Sequence, residues 1–269
     1  MTPQQRRTRF FELHAREQVF VLPNPWDVGS TKLLAGLGFE ALATTSAGFA
    51  WSEGRDDYGI TRDQLVAHVR SIADATDLPL NVDSERCFAD DGDLDGIAET
   101  VGLLHDAGAA GCSIEDWNGP AGRIDPVDVA TERVTAAAEA AHRDGDPMVL
   151  TARCENVLHG VTDLDDTIER LVAYAAAGAD CLYAPGLHTV EQIERVVDAV
   201  GVPVNVLALP GGPSVAEIGA AGGRRVSTGS SLASTAYGAM MAGARELLQS
   251  GTSTYLATRL SGEDRAFLD

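Results

Sequence analysis

The sequence predicts an α/β protein, a (β/α)8 barrel formed as one domain over residues 1–269. Three observations predict it. Short apolar runs alternate with longer amphipathic segments from Val19 onward, with Gly or Pro at the joins. Eight such runs occur in the chain. Its 269 residues lie near the roughly 250 typical of this architecture. A doubly wound open sheet is the alternative, because alternation alone does not prove closure. The turn after the first run, LPNPWDVGS, lacks a glycine-rich dinucleotide fingerprint, which weighs against the open form.

The first run is VFVLP (Val19–Pro23) and the second ALATTS (Ala41–Ser46). After it, TRDQLVAHVRSIADAT places Leu65, Val69 and Ile72 at helical spacing, with Thr61 as N-cap. The third run, PLNVDSE (Pro79–Glu85), precedes DLDGIAETVGLLHDAG, where Ile97, Val101 and Leu104 share a stripe that stops at Gly108. GCSIED (Gly111–Asp116) and MVLTAR (Met148–Arg153) are the fourth and fifth runs. DLDDTIERLVAYAAAG follows with Ile168, Leu171 and Val172. CLYAPG, PVNVLA and RRVSTG complete the eight, separated by TVEQIERVVDAVG and SVAEIGAAGG.

Barrel chemistry gathers at the carboxyl ends of the strands. Those ends supply Thr45, Ser46 and Ala47 on the second run, Asp83 and Glu85 on the third, and Glu115 and Asp116 on the fourth. Arg153 ends the fifth, Asn205 lies on the seventh, and Ser227 and Thr228 on the eighth. Residues two apart on a strand share a face, so Asp83 and Glu85 would point the same way. With Glu115 they would crowd one rim, and three carboxylates there call for a cation; hard oxygen donors select Mg2+ or Mn2+. Arg153 is suited to fork onto a substrate carboxylate, and the backbone from Thr45 to Gly48 to donate N–H groups to an anion. The plainer alternatives are a solvated strand end for Glu85, a structural ion pair of Arg153 with Glu155 or Glu115, and backbone support for Asn205.

The formal net charge is −20 and the only lysine is Lys32. Without a basic stripe, nucleic acid and acidic membranes are excluded as partners. Such an acidic, lysine-poor surface fits work in high salt; a GC-rich genome would also favour arginine. Hydrophobic residues make up 45%, enough for a large core. The four cysteines form no CxxC pair, the N-terminus is polar, and no apolar run approaches membrane-span length. A reduced, cytoplasmic protein is the expectation.

The ordered motifs LPNPWDVGSTKLLAGLGFEALATTSAGFAWSEG, NVDSE, SIED, TAR and VN resemble the isocitrate lyase and phosphoenolpyruvate mutase superfamily, from about Leu13 to Leu248. The resemblance implies a (β/α)8 barrel whose substrates are 2-oxo or 2-hydroxy dicarboxylates, or phosphonates, bound through Mg2+. It also implies a homo-oligomer, dimer or tetramer, with the C-terminal helical segment 230–269 exchanged between subunits. By the same resemblance Asp83, Glu85 and Glu115 are metal-associated. Arg153 binds substrate, Thr45, Ser46 and Ala47 form the substrate loop, and Asp57 of GRDDYG lies on a loop near the site. Two departures stand out. The lyases' Lys-Lys/Arg-Cys-Gly-His loop is replaced by WNGPAGRID, and Pro185 replaces a glutamate. Cys87 or Cys154 could substitute as the thiol, and His159 or His188 as a proton donor. The implied activity is Mg2+-dependent cleavage of a C–C bond in a small 2-oxo or 2-hydroxy acid, with Arg153, Asp57 and Glu115 catalytic. P–C chemistry and non-catalytic binding of a 2-oxo acid are the alternatives.

Overall fold

A computed structural model describes all 269 residues. Its strands are β1 (Phe20–Leu22), β2 (Leu42–Ala43), β3 (Leu80–Asp83), β4 (Gly111–Glu115), β5 (Trp117–Asn118), β6 (Arg123–Ile124), β7 (Val149–Arg153), β8 (Cys181–Tyr183), β9 (Val204–Leu207) and β10 (Arg225–Ser227). Eight of them run parallel in the order β1-β10-β9-β8-β7-β4-β3-β2. The seam between β1 and β2 is closed by the Ala43 amide, which donates to the Pro23 carbonyl at 3.1 Å. Beside it Asn24 Nδ2 of the side chain donates to the Thr44 carbonyl at 2.7 Å. The expected barrel is therefore present, with all eight predicted runs as its staves. β5 and β6 form a separate antiparallel hairpin within WNGPAGRID, a segment too short and too rich in Gly and Pro to signal strands in sequence.

The helices are α1 (Pro3–Ala15), α2 (Val28–Gly36), α3 (Ser46–Ser52), α4 (Arg62–Asp74), α5 (Leu94–Asp106), α6 (Val127–Ala141), α7 (Leu164–Ala176), α8 (Val190–Ala199), α9 (Val215–Ala220), α10 (Ser231–Ser250) and α11 (Gly262–Arg265). Thr61 caps α4 as predicted, in a reciprocal capping box with Gln64. Outward-facing strand residues such as Val82, Ile114, Leu182 and Val206 bury against this ring in one large apolar cluster. A second cluster fills the amino-terminal end of the barrel, where Phe10 and Leu13 of α1 meet Phe20, Ala110, Val149 and Cys181. Gly111 permits that plug: a Cβ there would lie 2.7 Å from the Val149 carbonyl oxygen and 2.8 Å from the Phe10 ring. With one end stoppered, the only opening for chemistry is the carboxyl end.

The C-terminal segment 230–269 packs loosely on its own chain. Within the 20 residues of α10 only Ala233 and Gly243 are buried. Glu246 accepts from the amides of Thr254 and Tyr255, which turns the chain back. Phe267 then seats on Gly36 of α2, and Lys32 donates to the Leu268 carbonyl.

Candidate active site

Residues two apart on the strands face inward and line one cavity of about 170 Å³ at the carboxyl end. Asn81 and Asp83, Asn205 and Leu207, and Arg225 and Ser227 show that spacing; Ser113, Arg153 and Tyr183 complete the wall. Thr45, Ser46, Ala47 and Asp57 close the mouth. The volume is well below the roughly 300–1,000 Å³ of drug-sized pockets, so the cavity selects a small ligand.

The predicted carboxylates do meet, but around a side chain. Arg153 Nη1 donates to Asp83 Oδ1 at 2.6 Å, and its Nε to Glu155 Oε1 at 2.9 Å. Its Nη2 lies 2.8 Å from Glu155 Oε1 and 3.2 Å from Glu115 Oε2. The guanidinium also sits 5.3 Å from the centre of the Tyr183 ring. Three carboxylates hold Arg153 firmly charged, well above its ordinary value despite burial. Burial in turn pushes Glu115 and Glu155 upward, against the pull of the guanidinium. Arg153 is thus an ion-pair hub and not a free fork for a substrate carboxylate. Tyr58 donates its hydroxyl to Glu115 Oε1 at 2.8 Å and completes that oxygen's shell.

Glu85 departs from the strand argument. β3 ends at Asp83, and Glu85 has φ of 49°, in the left-handed region. The alternation that would place both acids on one face stops before it reaches Glu85, which lines a neighbouring groove with Tyr58 and Trp117. The Thr45–Gly48 stretch is the start of α3. Thr45 Oγ1 accepts from the Gly48 amide at 3.2 Å, and the Ser46 amide and hydroxyl both donate to Asp83 Oδ2 at 3.0 Å. Both donors of Ser46 thereby orient Asp83, and the Gly48 amide is taken by Thr45, so none of these is free for an anion. Asn205 is likewise engaged, with Arg225 Nε and Ser227 Oγ at 2.9 Å each. Asp116 anchors the rim: it accepts from Tyr174 Oη at 2.6 Å and from the Glu155 amide at 2.8 Å.

The substitute acids can be placed too. Cys87 and Cys154 are buried, and burial pushes the first thiol up to about 11 and the second higher still. Neither lines the cavity, which disqualifies both as the missing thiol. His159 stacks on Trp117 with ring centres 3.4 Å apart, and neither it nor His188 reaches the cavity wall. Asp57 does reach it, and its carboxyl is raised by crowding protein atoms and then by the charge of Asp83.

No three His, Cys, Asp or Glu side chains stand arranged to hold a metal ion. The charge that was to come from a metal is supplied in part by Arg153. Nevertheless the residues fit a hard divalent cation. Glu85 Oε1 is buried without any hydrogen-bond partner. Burial and the nearby charges of Asp83 and Asp57 push its carboxyl up to about 8. Such a carboxylate suits a cation, and Mg2+ is held by one or two carboxylates plus waters and substrate, not by a full protein cage.

The sequence profile of the phosphoenolpyruvate phosphomutase family matches residues 10–248. The chain belongs to the phosphoenolpyruvate phosphomutase family. With it comes membership of the isocitrate lyase/phosphoenolpyruvate mutase superfamily, as the motif order implied. Among solved structures, a Burkholderia cenocepacia J2315 protein provisionally described as a lyase/mutase is 47% identical; the match covers 97% of this chain and 94% of that one, with a TM-score of 0.92. An oxaloacetate decarboxylase of Paraburkholderia xenovorans is 31% identical over 217 residues, 77% of this chain and 70% of its own. A Corynebacterium glutamicum relative, provisionally named 2-methylisocitrate lyase 2, is 32% identical over 212 residues, 76% of this chain and 67% of its own. These relatives support an enzyme of the lyase class.

Asn24, Tyr58, Tyr183 and Arg225 are site residues that the sequence reading missed. Tyr183 and Arg225 carry a visible signal, since each lies on a predicted buried strand with its polar group in the barrel interior. Tyr58 carries none, because its left-handed φ of 61° sits in an exposed loop.

Proposed function

We propose that the protein is a divalent-metal-dependent lyase that cleaves a C–C bond of a small 2-oxo or 2-hydroxy carboxylic acid. The observation that carries this is the cavity itself: small, closed at one end, and walled at its mouth by Asp83, Asp57 and Ser46. Mg2+ or Mn2+ would be held by Asp83 of the cavity and Glu85 of the adjoining groove, whose charges act on one another, with Glu115 behind them on Arg153, and would supply Lewis acidity to the 2-oxo oxygen of a bound substrate. Asp83 is pre-aimed for this by the Ser46 amide and hydroxyl and by Arg153. Arg153 and Glu115 act by fixing Asp83 and the charge balance of the rim. In a decarboxylation the C–C bond breaks, CO2 leaves, and the electron pair moves to the 2-oxo oxygen as an enolate. A proton must then reach carbon, and Asp57 is the raised carboxyl at the mouth able to exchange one. The relatives named oxaloacetate decarboxylase support this class of substrate.

P–C chemistry is supported less well. Arg123, the one cation of the hairpin, is paired with Asp91 at 3.4 Å and lies outside the cavity. We further read the protein as a homo-oligomer, since Met240, Met241, Leu247 and Leu248 of α10 stand exposed together. Four unpaired, buried cysteines suit a reducing cytoplasm. The charge of −20 suits a salt-rich one. No helix is long and apolar enough to cross a membrane.

The test is enolate formation from pyruvate with Mg2+ in D2O, followed by NMR of the methyl group. Exchange is expected with the native chain and lost in Asp83→Ala, whose unfolding should remain cooperative. Binding of pyruvate without exchange would instead identify a non-catalytic binder.

A further inference from the structure

A second hollow, a groove of about 520 Å³, opens beside the cavity. It lies between Tyr58 and Ile60 of one loop, the turn from Glu85 to Asp91, and the β5–β6 hairpin. That size is within the range of small-molecule pockets. The groove shares a dividing wall with the cavity. Asp57 lines the cavity and Tyr58 the groove; Asp83 lines the cavity and Glu85 the groove. The bond from the Tyr58 hydroxyl to Glu115 crosses that wall, because Glu115 also meets Arg153 of the cavity. A substrate held at Asp83 and Glu85 therefore has two rooms, about 170 Å³ on one side and the groove on the other.

The groove is held in shape. Tyr58, Glu85, Cys87 and Phe88 are the non-glycine residues with left-handed backbones, at φ of 61°, 49°, 59° and 53°. Three of them line the groove, and Cys87 lies between two of those. Bulky residues adopt this conformation only under strain, which the surrounding structure must sustain. The hairpin wall is pinned as well: Asn118 Nδ2 donates to Asp91 Oδ1 at 2.9 Å, and Trp117 stacks on His159. Those ties also occupy the charge. Arg86 Nε donates to Asp125 Oδ2 at 2.7 Å, Nη1 to the Ala89 carbonyl at 3.0 Å, and Nη2 to Asp91 Oδ1 at 2.7 Å. No other cation lines the groove, whereas Glu85, Asp90 and Asp91 do, so an anionic group would be repelled. The surface left for contact is flat and apolar: Tyr58, Ile60, Phe88, Trp117 and Pro120.

We propose that this groove seats the leaving half of the substrate, and that this half is an uncharged aromatic carbonyl compound. The proposal rests on the lyase reading of the site and departs from the dicarboxylates that the resemblance implies. The matching substrate is a 4-aryl-4-hydroxy-2-oxo acid, its 2-oxo acid end in the cavity and its ring between Tyr58 and Trp117. Cleavage breaks the C3–C4 bond. Asp57 takes the proton of the 4-hydroxyl, whose oxygen becomes the carbonyl oxygen of the departing aryl aldehyde. The C3–C4 electron pair moves between C2 and C3, leaving the negative charge on the 2-oxo oxygen of a pyruvate enolate. The proton held by Asp57 then passes to C3 and gives pyruvate. The two products together contain every atom of the substrate, and no oxidant or reductant is needed.

Pyruvate release by the full chain with Mg2+ tests this on three substrates that differ at C4. They are 4-hydroxy-2-oxo-4-phenylbutanoate, 4-hydroxy-2-oxopentanoate with a methyl group there, and 4-hydroxy-2-oxoglutarate with a carboxylate. The kcat/KM should be at least about tenfold higher for the phenyl than for the methyl substrate, the scale of burying part of a ring, and lowest for the carboxylate. A Cβ at Gly119 would lie 3.5 Å from the Tyr58 ring and 3.7 Å from Trp117 Nε1, so Gly119→Leu fills the gap between the rings. It should bring the phenyl-to-methyl ratio toward one, and Trp117→Ala, which removes a wall, should lower it too. The ratio is the readout because a fault in the fold or the cavity slows both substrates alike. Should Gly119→Leu fail to fold, Trp117→Ala carries the test. A ratio near one in the native chain, a preference for the carboxylate, or a ratio that neither variant moves overturns the proposal. So does cleavage of none of the three. Pyruvate methyl exchange in D2O reports separately on the lyase reading, which survives if exchange proceeds while the aryl preference is absent.

Discussion

Replacing Glu85 with Gln tests whether this buried, unpartnered acid takes part in holding a cation. The glutamine keeps the shape and removes the charge. In the folded protein the Glu85 carboxyl is pushed up to about 8, against an ordinary value of 4.5. Below the lower value both folded and unfolded chains hold the proton, and Glu85 costs nothing. As pH rises from there, the unfolded chain releases its proton while the folded chain keeps it. Stability is therefore lost progressively across the window and levels off above about 8. At about 1.36 kcal/mol per pH unit, the loss reaches on the order of 5 kcal/mol. Urea unfolding of the native chain and of Glu85→Gln, measured from about pH 5 to about pH 9, reads it directly. The variant should gain on the native protein as pH rises, and the two should converge near the acid end. Added Mg2+ should shrink the gap at the alkaline end, because a cation beside the carboxylate favours its ionised form. A difference that stays flat with pH would refute the burial argument. A gap that Mg2+ leaves unchanged would remove Glu85 from the metal role.

Two further predictions concern the hub and the surface. Arg153→Met leaves Asp83, Glu115 and Glu155 without their common cation. It should lose about 3–5 kcal/mol near neutral pH in urea unfolding. Part should return on acidification, since burial raises Glu115 and Glu155 and both then hold their protons in the folded state; a loss independent of pH would contradict the hub. Sedimentation equilibrium should find the native chain as a dimer or tetramer, and Leu248→Glu should weaken that assembly, because Leu248 is 87% exposed on α10. A native monomer would refute the oligomer.

The barrel was legible because its staves are set by local pattern. Each predicted run contains a strand, since short apolar stretches bounded by Gly and Pro leave little else for a buried segment to do. The plug α1 was not read, although Thr2 and Gln5 form a capping box three residues apart and Phe10, Leu13 and His14 share the buried face. The rim was legible in composition, while the partners of its charges stayed open. Counting carboxylates identified Asp83 and Glu115 and called for a cation. It left open whether Arg153 would fork onto a substrate or pair with Glu115 and Glu155, and the register that sets Arg153 beside Glu115 decides for the pair. Pairing across strands depends on register, which residue spacing does not reveal. Glu85 shows the opposite limit. A period of two holds only while the strand continues, and the left-handed backbone after Asp83 turns that acid toward a different groove. Arg225 is the most instructive omission. At the head of RRVSTG it resembles a charged strand boundary, yet two residues before Ser227 it shares that residue's inward face. A charge on the buried face of a stave has to find partners inside the barrel, and this one finds Asn205 and His14 in place of a carboxylate.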